Sequence, residues 1–154
     1  MENDIKGFQL WRKYHLIPCT ILFLLICTLS FSHAADRKHL NSFEEELLRC
    51  VNQYRVKNDL KPLSFDETLN NLAKNHCRYM SKTGEMNHDN FDERFRQCGR
   101  MLCVENIGWN SPTPEAQFEA WKNSKGHNAN LLNREIKHAG ISKVGPYVTF
   151  FACD

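Results

Sequence analysis

Net charge, catalytic signatures and long apolar runs are all scarce in this sequence. Twenty Lys and Arg stand against 18 Asp and Glu, a formal net charge of +2. A nucleic-acid binder would instead concentrate basic charge on one face, so nucleic acid is not an expected partner. No run of like charge is longer than Glu44-Glu45-Glu46, which reads as the solvated first turn of a helix. There is no H-E-x-x-H, which excludes a helix-borne metalloprotease site. There is no G-x-S-x-G, which excludes a nucleophile elbow. Internal repeats and low-complexity segments are absent. Asn41, Asn110 and Asn123 each precede Ser but lack the third-position hydroxyl of an N-glycosylation acceptor. The longest apolar run, Leu16 to Phe31, has 16 residues and is broken by Pro18, Cys19 and Thr20. A spanning helix needs roughly 20 apolar residues.

That run has the form of a secretory leader. Lys6, Arg12 and Lys13 precede it, and Ser32-His33-Ala34-Ala35 follows with small residues suited to cleavage after Ala34. Residues 1–34 therefore read as a signal peptide, with an uncleaved anchor as the alternative. Both place the remainder outside the cytosol, and only the anchor would keep it at the membrane. Residues 35–41 are polar and read as a mobile segment. Residues 42–154 have the length of one domain. Of seven cysteines, Cys19 and Cys27 lie in the leader, leaving Cys50, Cys77, Cys98, Cys103 and Cys153. Oxidised pairs are expected in an exported chain, and an odd number leaves at least one thiol over. Cys98 and Cys103, close in sequence with Gly99 between them, form the preferred local pair. Cys50, Cys77 and Cys153 stay unassigned.

The periodicity predicts helices first and strands last. Ser42 with Glu45 makes a capping box for a helix through Leu47, Leu48, Val51 and Tyr54 to about Asn58. Asp66 caps a second helix whose apolar face runs Leu69, Leu72, Ala73, His76, Cys77, Met80 and ends at Gly84. His76 on that face reads as a packed or hydrogen-bonded core histidine. A short acidic and aromatic helix follows, with Phe91 and Phe95 on one face. Asp89, Asp92 and Glu93 near His88 read as a solvated helix start rather than a metal cluster. Glu105 to Trp109 is extended. Thr113 and Pro114 open a further helix to about Ser124, and His127 to Asn133 forms one or two turns. Residues 139–144 and 147–153 flank Gly145-Pro146 as a hairpin. Tyr147, Thr149 and Phe151 face one way, Val148 and Phe150 the other, so the last strand is covered on both sides. This order predicts an α+β fold.

The most informative stretch is Trp121-x-x-Ser124-x-Gly126-His127-x-x-Asn130-x-Leu132-Asn133. With it go Asn52-x-x-Arg55, Leu60-x-Pro62-Leu63, Leu69-x-x-Leu72-Ala73, His88, Phe91-x-x-Arg94, Glu105-Asn106-Ile107 and Tyr147-x-x-Phe150-Phe151-x-Cys153. Each is weak alone. In this order, from about Leu47 to Cys153, the set resembles the CAP superfamily: cysteine-rich secretory proteins, antigen 5 and plant pathogenesis-related 1, or SCP domain. The resemblance implies an α-β-α sandwich with a small, mostly antiparallel sheet. The chain stops at Asp154 just after the final predicted strand, as expected of a minimal single-domain form. Family members carry a different cysteine pattern, so their connectivity is not transferred.

The resemblance also implies a cleft. In many CAP proteins two His and two Glu converge there, and some hold a divalent cation. His88, Glu105 and His127 match three of the four. The second Glu falls at Ser124, which removes one carboxylate. Two imidazoles, His88 and His127, can bind Zn²⁺ or another divalent ion. Glu105 serves either as a third ligand or as an acceptor that orients a histidine. Ser124 reads as a cap for the segment that follows. A Ser124–His127 dyad would also need an oxyanion hole, which nothing in the sequence supplies. The aromatics Phe91, Phe95, Trp109, Phe118, Trp121, Tyr147, Phe150 and Phe151 read mostly as core. The family's association with sterols and fatty acids makes an apolar ligand an expectation as well. The resulting reading is a secreted, non-enzymatic binding protein for an apolar ligand or an extracellular protein partner. The alternatives are a metal-dependent hydrolase using the same cleft and a membrane-anchored signalling ectodomain.

Overall fold

The computed structural model describes residues 42–154. The leader read at residues 1–34 and the segment 35–41 lie outside the described residues. Five helices and four strands follow in the order α1 (Ser42–Lys57), β1 (Ser64–Phe65), α2 (Glu67–Thr83), α3 (Phe91–Cys98), β2 (Cys103–Trp109), α4 (Pro114–Lys122), α5 (Lys125–Leu131), β3 (His138–Val144) and β4 (Tyr147–Cys153). Among the described residues no helix is long and apolar enough to cross a membrane.

The strands form one sheet in the order β1-β3-β4-β2, with only β1 and β3 parallel. β3 and β4 make the expected hairpin around Gly145, whose φ of 57° suits the turn. β1 was not anticipated, because two residues carry no readable alternation. β4 is central and all seven of its residues are buried. Its alternate side chains serve two cores. Val148, Phe150 and Ala152 join Leu47, Val51, Phe118 and Trp121 of α1 and α4. Phe151 and Cys153 pack with Leu69, Leu72 and Ala73 of α2, and Tyr147 with Cys77 and Met80 of the same helix. The result is an α-β-α sandwich. Gly140 lets α2 lie directly on β3: a Cβ there would stand 2.1 Å from the backbone nitrogen of Asn70.

The caps follow the sequence. Asp66 accepts from the Leu69 amide at 3.0 Å, Thr113 accepts from the Ala116 amide at 3.2 Å, and Gly84 closes α2 with φ 76°. One expectation is left open and one is corrected. Ser42, expected to cap α1, is the first described residue and already counts as helical, so the cap itself lies at the edge of the described residues. The Glu44-Glu45-Glu46 turn is not solvated throughout, because Glu44 is buried and accepts from the Lys143 amide at 2.8 Å. A residue on the core side of α1 that reaches an exposed strand end finds a backbone donor there, and charge alone does not reveal this.

Arg55 shows why a polar motif can be structural. It is buried, and its guanidinium donates to the carbonyls of Lys61, Leu131, Asn133 and Ile136. It thereby fastens the α5 end and the chain beyond it to α1. Asn52 exchanges two hydrogen bonds with the Leu63 backbone, at 2.9 and 2.7 Å, and fixes the loop into β1.

Candidate functional site

β2 is an edge strand, and its two faces and its free edge build the site together. Glu105 projects to the α2–α3 side. Its side chain is 1% exposed. Arg94 of α3 meets it with a two-pronged pair, Nε to Oε2 at 2.9 Å and Nη2 to Oε1 at 2.8 Å. A third Arg94 nitrogen donates to the Asp89 carbonyl at 2.7 Å. The same Oε1 receives His88 Nδ1 at 2.8 Å. Because an ionised carboxylate only accepts, His88 Nδ1 is the donor in this contact. The His88 side chain is 51% exposed.

His76 lies beneath this pair. It is buried as expected, and its Nε2 donates to the Asn87 carbonyl at 2.8 Å. It also stands 3.8 Å from Glu105 Oε1. Burial holds its pKa below the ordinary imidazole range, against the upward pull of the Glu105 charge. The core histidine of the sequence reading is therefore also a neighbour of the cleft.

Asn106 projects to the other face of β2. It donates to the His127 carbonyl at 3.1 Å and accepts from Asn130 at 2.8 Å. Asn130 further donates to the Glu105 carbonyl at 3.1 Å, and Trp121 Nε1 donates to the Ile107 carbonyl at 2.8 Å. Edge-strand carbonyls need partners, and Trp121 and Asn130 provide them for β2. This accounts for the spacing of the W-x-x-S-x-G-H-x-x-N stretch. Its two ends grip one strand edge and present His127 between them. Burial, then the charge of nearby His88, lowers the His127 pKa below the ordinary imidazole range. Ser124 occupies the N-cap position of α5, yet its side chain makes no capping hydrogen bond.

The structure thus brings His88 and Glu105 into direct contact, sets His127 within electrostatic reach of His88, and leaves Ser124 at the helix start. The reading from sequence gave no role to Arg94, Asn106 or Asn130. Their signal was present in the quoted motifs, but spacing does not say which polar groups pair across elements. Glu105 is enclosed by Arg94 and His88. Among the described residues, sets of three or more His, Cys, Asp or Glu donors within 4.8 Å of one another are Cys98/Cys103/Cys153 and Glu46/Cys50/Glu115. The cleft residues His88, Glu105 and His127 are not one of them. Beside His88 an open depression of about 370 Å³ runs past Asn90, Phe91 and Arg96.

The cysteine expectation is corrected. The disulfide joins Cys103 to Cys153, residues directly opposite in the β2–β4 ladder, while Cys98 stays a thiol with Cys50 and Cys77. Closeness in sequence favoured Cys98, but strand pairing brings Cys153 nearer still.

Comparison with known proteins agrees with this architecture. Residues 48–154 match the profile of the CAP, or cysteine-rich secretory protein, family. An uncharacterised protein of Bacillus subtilis, YkwD, is 30% identical over 117 residues, 68% of this chain and 44% of its own length. An uncharacterised membrane protein of the same organism, YlbC, is 30% identical over 161 residues, 96% of this chain and 45% of its own. A crystal structure of an extracellular protein containing an SCP domain, from Bacillus anthracis, superposes with a TM-score of 0.70. Its sequence is 25% identical, over 73% of this chain and 40% of that one. The chain therefore spans less than half the length of these relatives.

Proposed function

The chain belongs to the CAP family, and from that premise we propose an extracytoplasmic, non-enzymatic binding domain whose cleft holds a divalent cation such as Zn²⁺ between His88 and His127. The observation that carries this is the His88–Glu105–Arg94 chain. A carboxylate behind a histidine fixes the tautomer and aims the second nitrogen, as in many zinc sites. Arg94 keeps that carboxylate in place, and the His88 side chain is half exposed beside it. His127 supplies a second neutral imidazole. A bound cation would supply charge and a point of attachment for an anionic or carbonyl-bearing ligand. Two protein ligands make such a site weak and exchangeable.

The non-enzymatic half rests on the nucleophiles. Burial pushes the Cys50 thiol up and the Cys77 thiol to about 11, opposite to activation. Ser124 has no base–orienter chain of its own. Calorimetric titration of Zn²⁺ into purified protein at pH 7.5 tests the cation. Saturable 1:1 binding is expected, lost in His88→Ala and in His127→Ala. A parent protein that binds no Zn²⁺ overturns the reading.

An apolar ligand is a second reading, favoured by one feature. Most aromatics are committed to the core. An open groove of about 410 Å³ between α1 and α4 nevertheless has the half-buried Tyr54 and the buried Phe118, an edge-to-face pair, in its lining, together with Lys57 and Lys122. Organic extraction of purified protein should recover a sterol or fatty acid, and an empty extract refutes this second reading. Export rests on the leader, and the membrane and extracellular relatives support a place beyond the cytosol. N-terminal sequencing of the mature product should begin at Ala35 or Asp36. A product still beginning at Met1 would instead be the anchored form.

A further inference from the structure

Three sulfurs meet where α3 ends, β2 begins and β4 ends. Cys103 and Cys153 are joined. Cys98 Sγ lies 3.4 Å from Cys103 Sγ and 4.0 Å from Cys153 Sγ. Cys98 is half-buried, and its S–H donates to the Phe95 carbonyl at 3.0 Å. No part of the cleft chemistry uses this thiol. We propose that the three residues form a thiol–disulfide exchange site, in which Cys98 displaces Cys153 from Cys103 and the protein interconverts two disulfide isomers.

The step balances without an outside oxidant. The Cys98 thiolate attacks Cys103 Sγ, the Cys98–Cys103 bond forms, the Cys103–Cys153 bond breaks, and Cys153 leaves with the electron pair. The proton given up by Cys98 is returned to Cys153, so one disulfide and one thiol stand on each side. The three distances put nearly a right angle at Cys103 Sγ, whereas displacement at sulfur runs in line. Cys98 therefore has to turn about its χ1 before reacting. Cys98 is the last residue of a short helix followed by Gly99, with only four residues to Cys103, so the turn requires no rearrangement of the sheet. Cys153 is fully buried among Leu69, Leu72 and Phe151. That site accommodates a neutral thiol but disfavours a departing thiolate. The exchange is accordingly slow, and the Cys103–Cys153 isomer, the one the structure holds, is the major one.

The exchange also bears on the cleft. Arg94 sits four residues before Cys98 and Glu105 two after Cys103. A Cys98–Cys103 bond would tie together the helix and the strand that carry the buried ion pair, and it would remove the covalent link between β4 and β2 while leaving their hydrogen-bonded ladder.

The test is disulfide mapping on the wild-type full chain, held under native conditions at pH 8, acid-quenched, alkylated and digested with pepsin. The expected result is that Cys98 loses alkyl label as Cys153 gains it, reaching a plateau with Cys98–Cys103 as the minor linkage. Cys50 and Cys77 should stay labelled throughout. Cys98→Ser should retain Cys103–Cys153 alone. If Cys98 remains the labelled member of the three at every time, the proposal is overturned. Linkages to Cys50 or Cys77 appearing at the same rate overturn it too, since they mean scrambling through unfolded chains.

Discussion

Replacing Arg94 with Met tests the buried ion pair most directly. Met keeps the side-chain length and volume near those of the Arg stem and removes the guanidinium. Arg94 and Glu105 side chains are 7% and 1% exposed, so neither charge is screened by water in the way a surface pair is. Removing Arg94 takes two hydrogen bonds from the carboxylate and one from the Asp89 carbonyl. His88 remains as the carboxylate's one direct side-chain donor. Breaking a buried pair from one side costs about 3–5 kcal/mol, because a buried charge is left uncompensated. A surface pair would cost under about 1 kcal/mol. Urea denaturation of Arg94→Met should therefore show a loss near the first figure, with an unchanged slope. Glu105→Gln alone should also be costly, while the double variant should cost clearly less than the sum, since the two charges leave together. The reasoning fails if Arg94→Met loses less than about 1 kcal/mol, the value of a screened surface pair, or if the two substitutions are additive.

Four further outcomes are expected. Arg55→Lys should destabilise by about 2–4 kcal/mol in the same assay, because one ammonium cannot reach four carbonyls held by a planar fork; a variant as stable as the parent would show those bonds to be incidental. Gly140→Ala forces a Cβ into the α2 backbone and should lower the melting temperature sharply or leave the protein insoluble, whereas Gly126→Ala, with open space around it, should not. The folded pKa values of His76 and His127 are both lowered, so the unfolded chain binds protons first. Stability should be full above the ordinary imidazole value of about 6.5 and fall as pH drops toward 5. The denaturation midpoint should follow that course, flattened in a His76→Gln, His127→Gln double variant, and a midpoint constant from pH 7.5 to 5 would refute it. Zn²⁺ binding should weaken over the same interval, since the imidazoles must be neutral to coordinate.

Much of the fold was legible because its signals are local. Asp66, Gly84, Thr113 and Pro114 act within one helical turn, and β4 shows both faces apolar over seven residues. The resemblance to CAP proteins added the layer order. What remained hidden depends on contacts between distant segments. β1 is defined only by pairing with β3, Glu44 is buried only because Lys143 lies opposite, and Cys153 is chosen over Cys98 only through the strand register. In the cleft, His88, Glu105 and His127 stood out as titratable groups within motifs. Arg94 did not, because an arginine on a short charged helix normally faces water. The β2 edge explains Trp121 and Asn130, whose hydrogen bonds go to carbonyls of a strand that precedes them in the chain.

β4 has a consequence for how this domain is made. It lies between β3 and β2, and β2 has no other strand partner in the sheet. Until residues 147–153 have emerged from the ribosome, neither core has its centre and β2 has nothing to pair with. The sandwich is therefore completed by the last strand of the domain, whichever elements form before it. Joining α1 and α4 on one side to α2 on the other through a single strand ties the two cores together, so a substitution in β4 is felt in both.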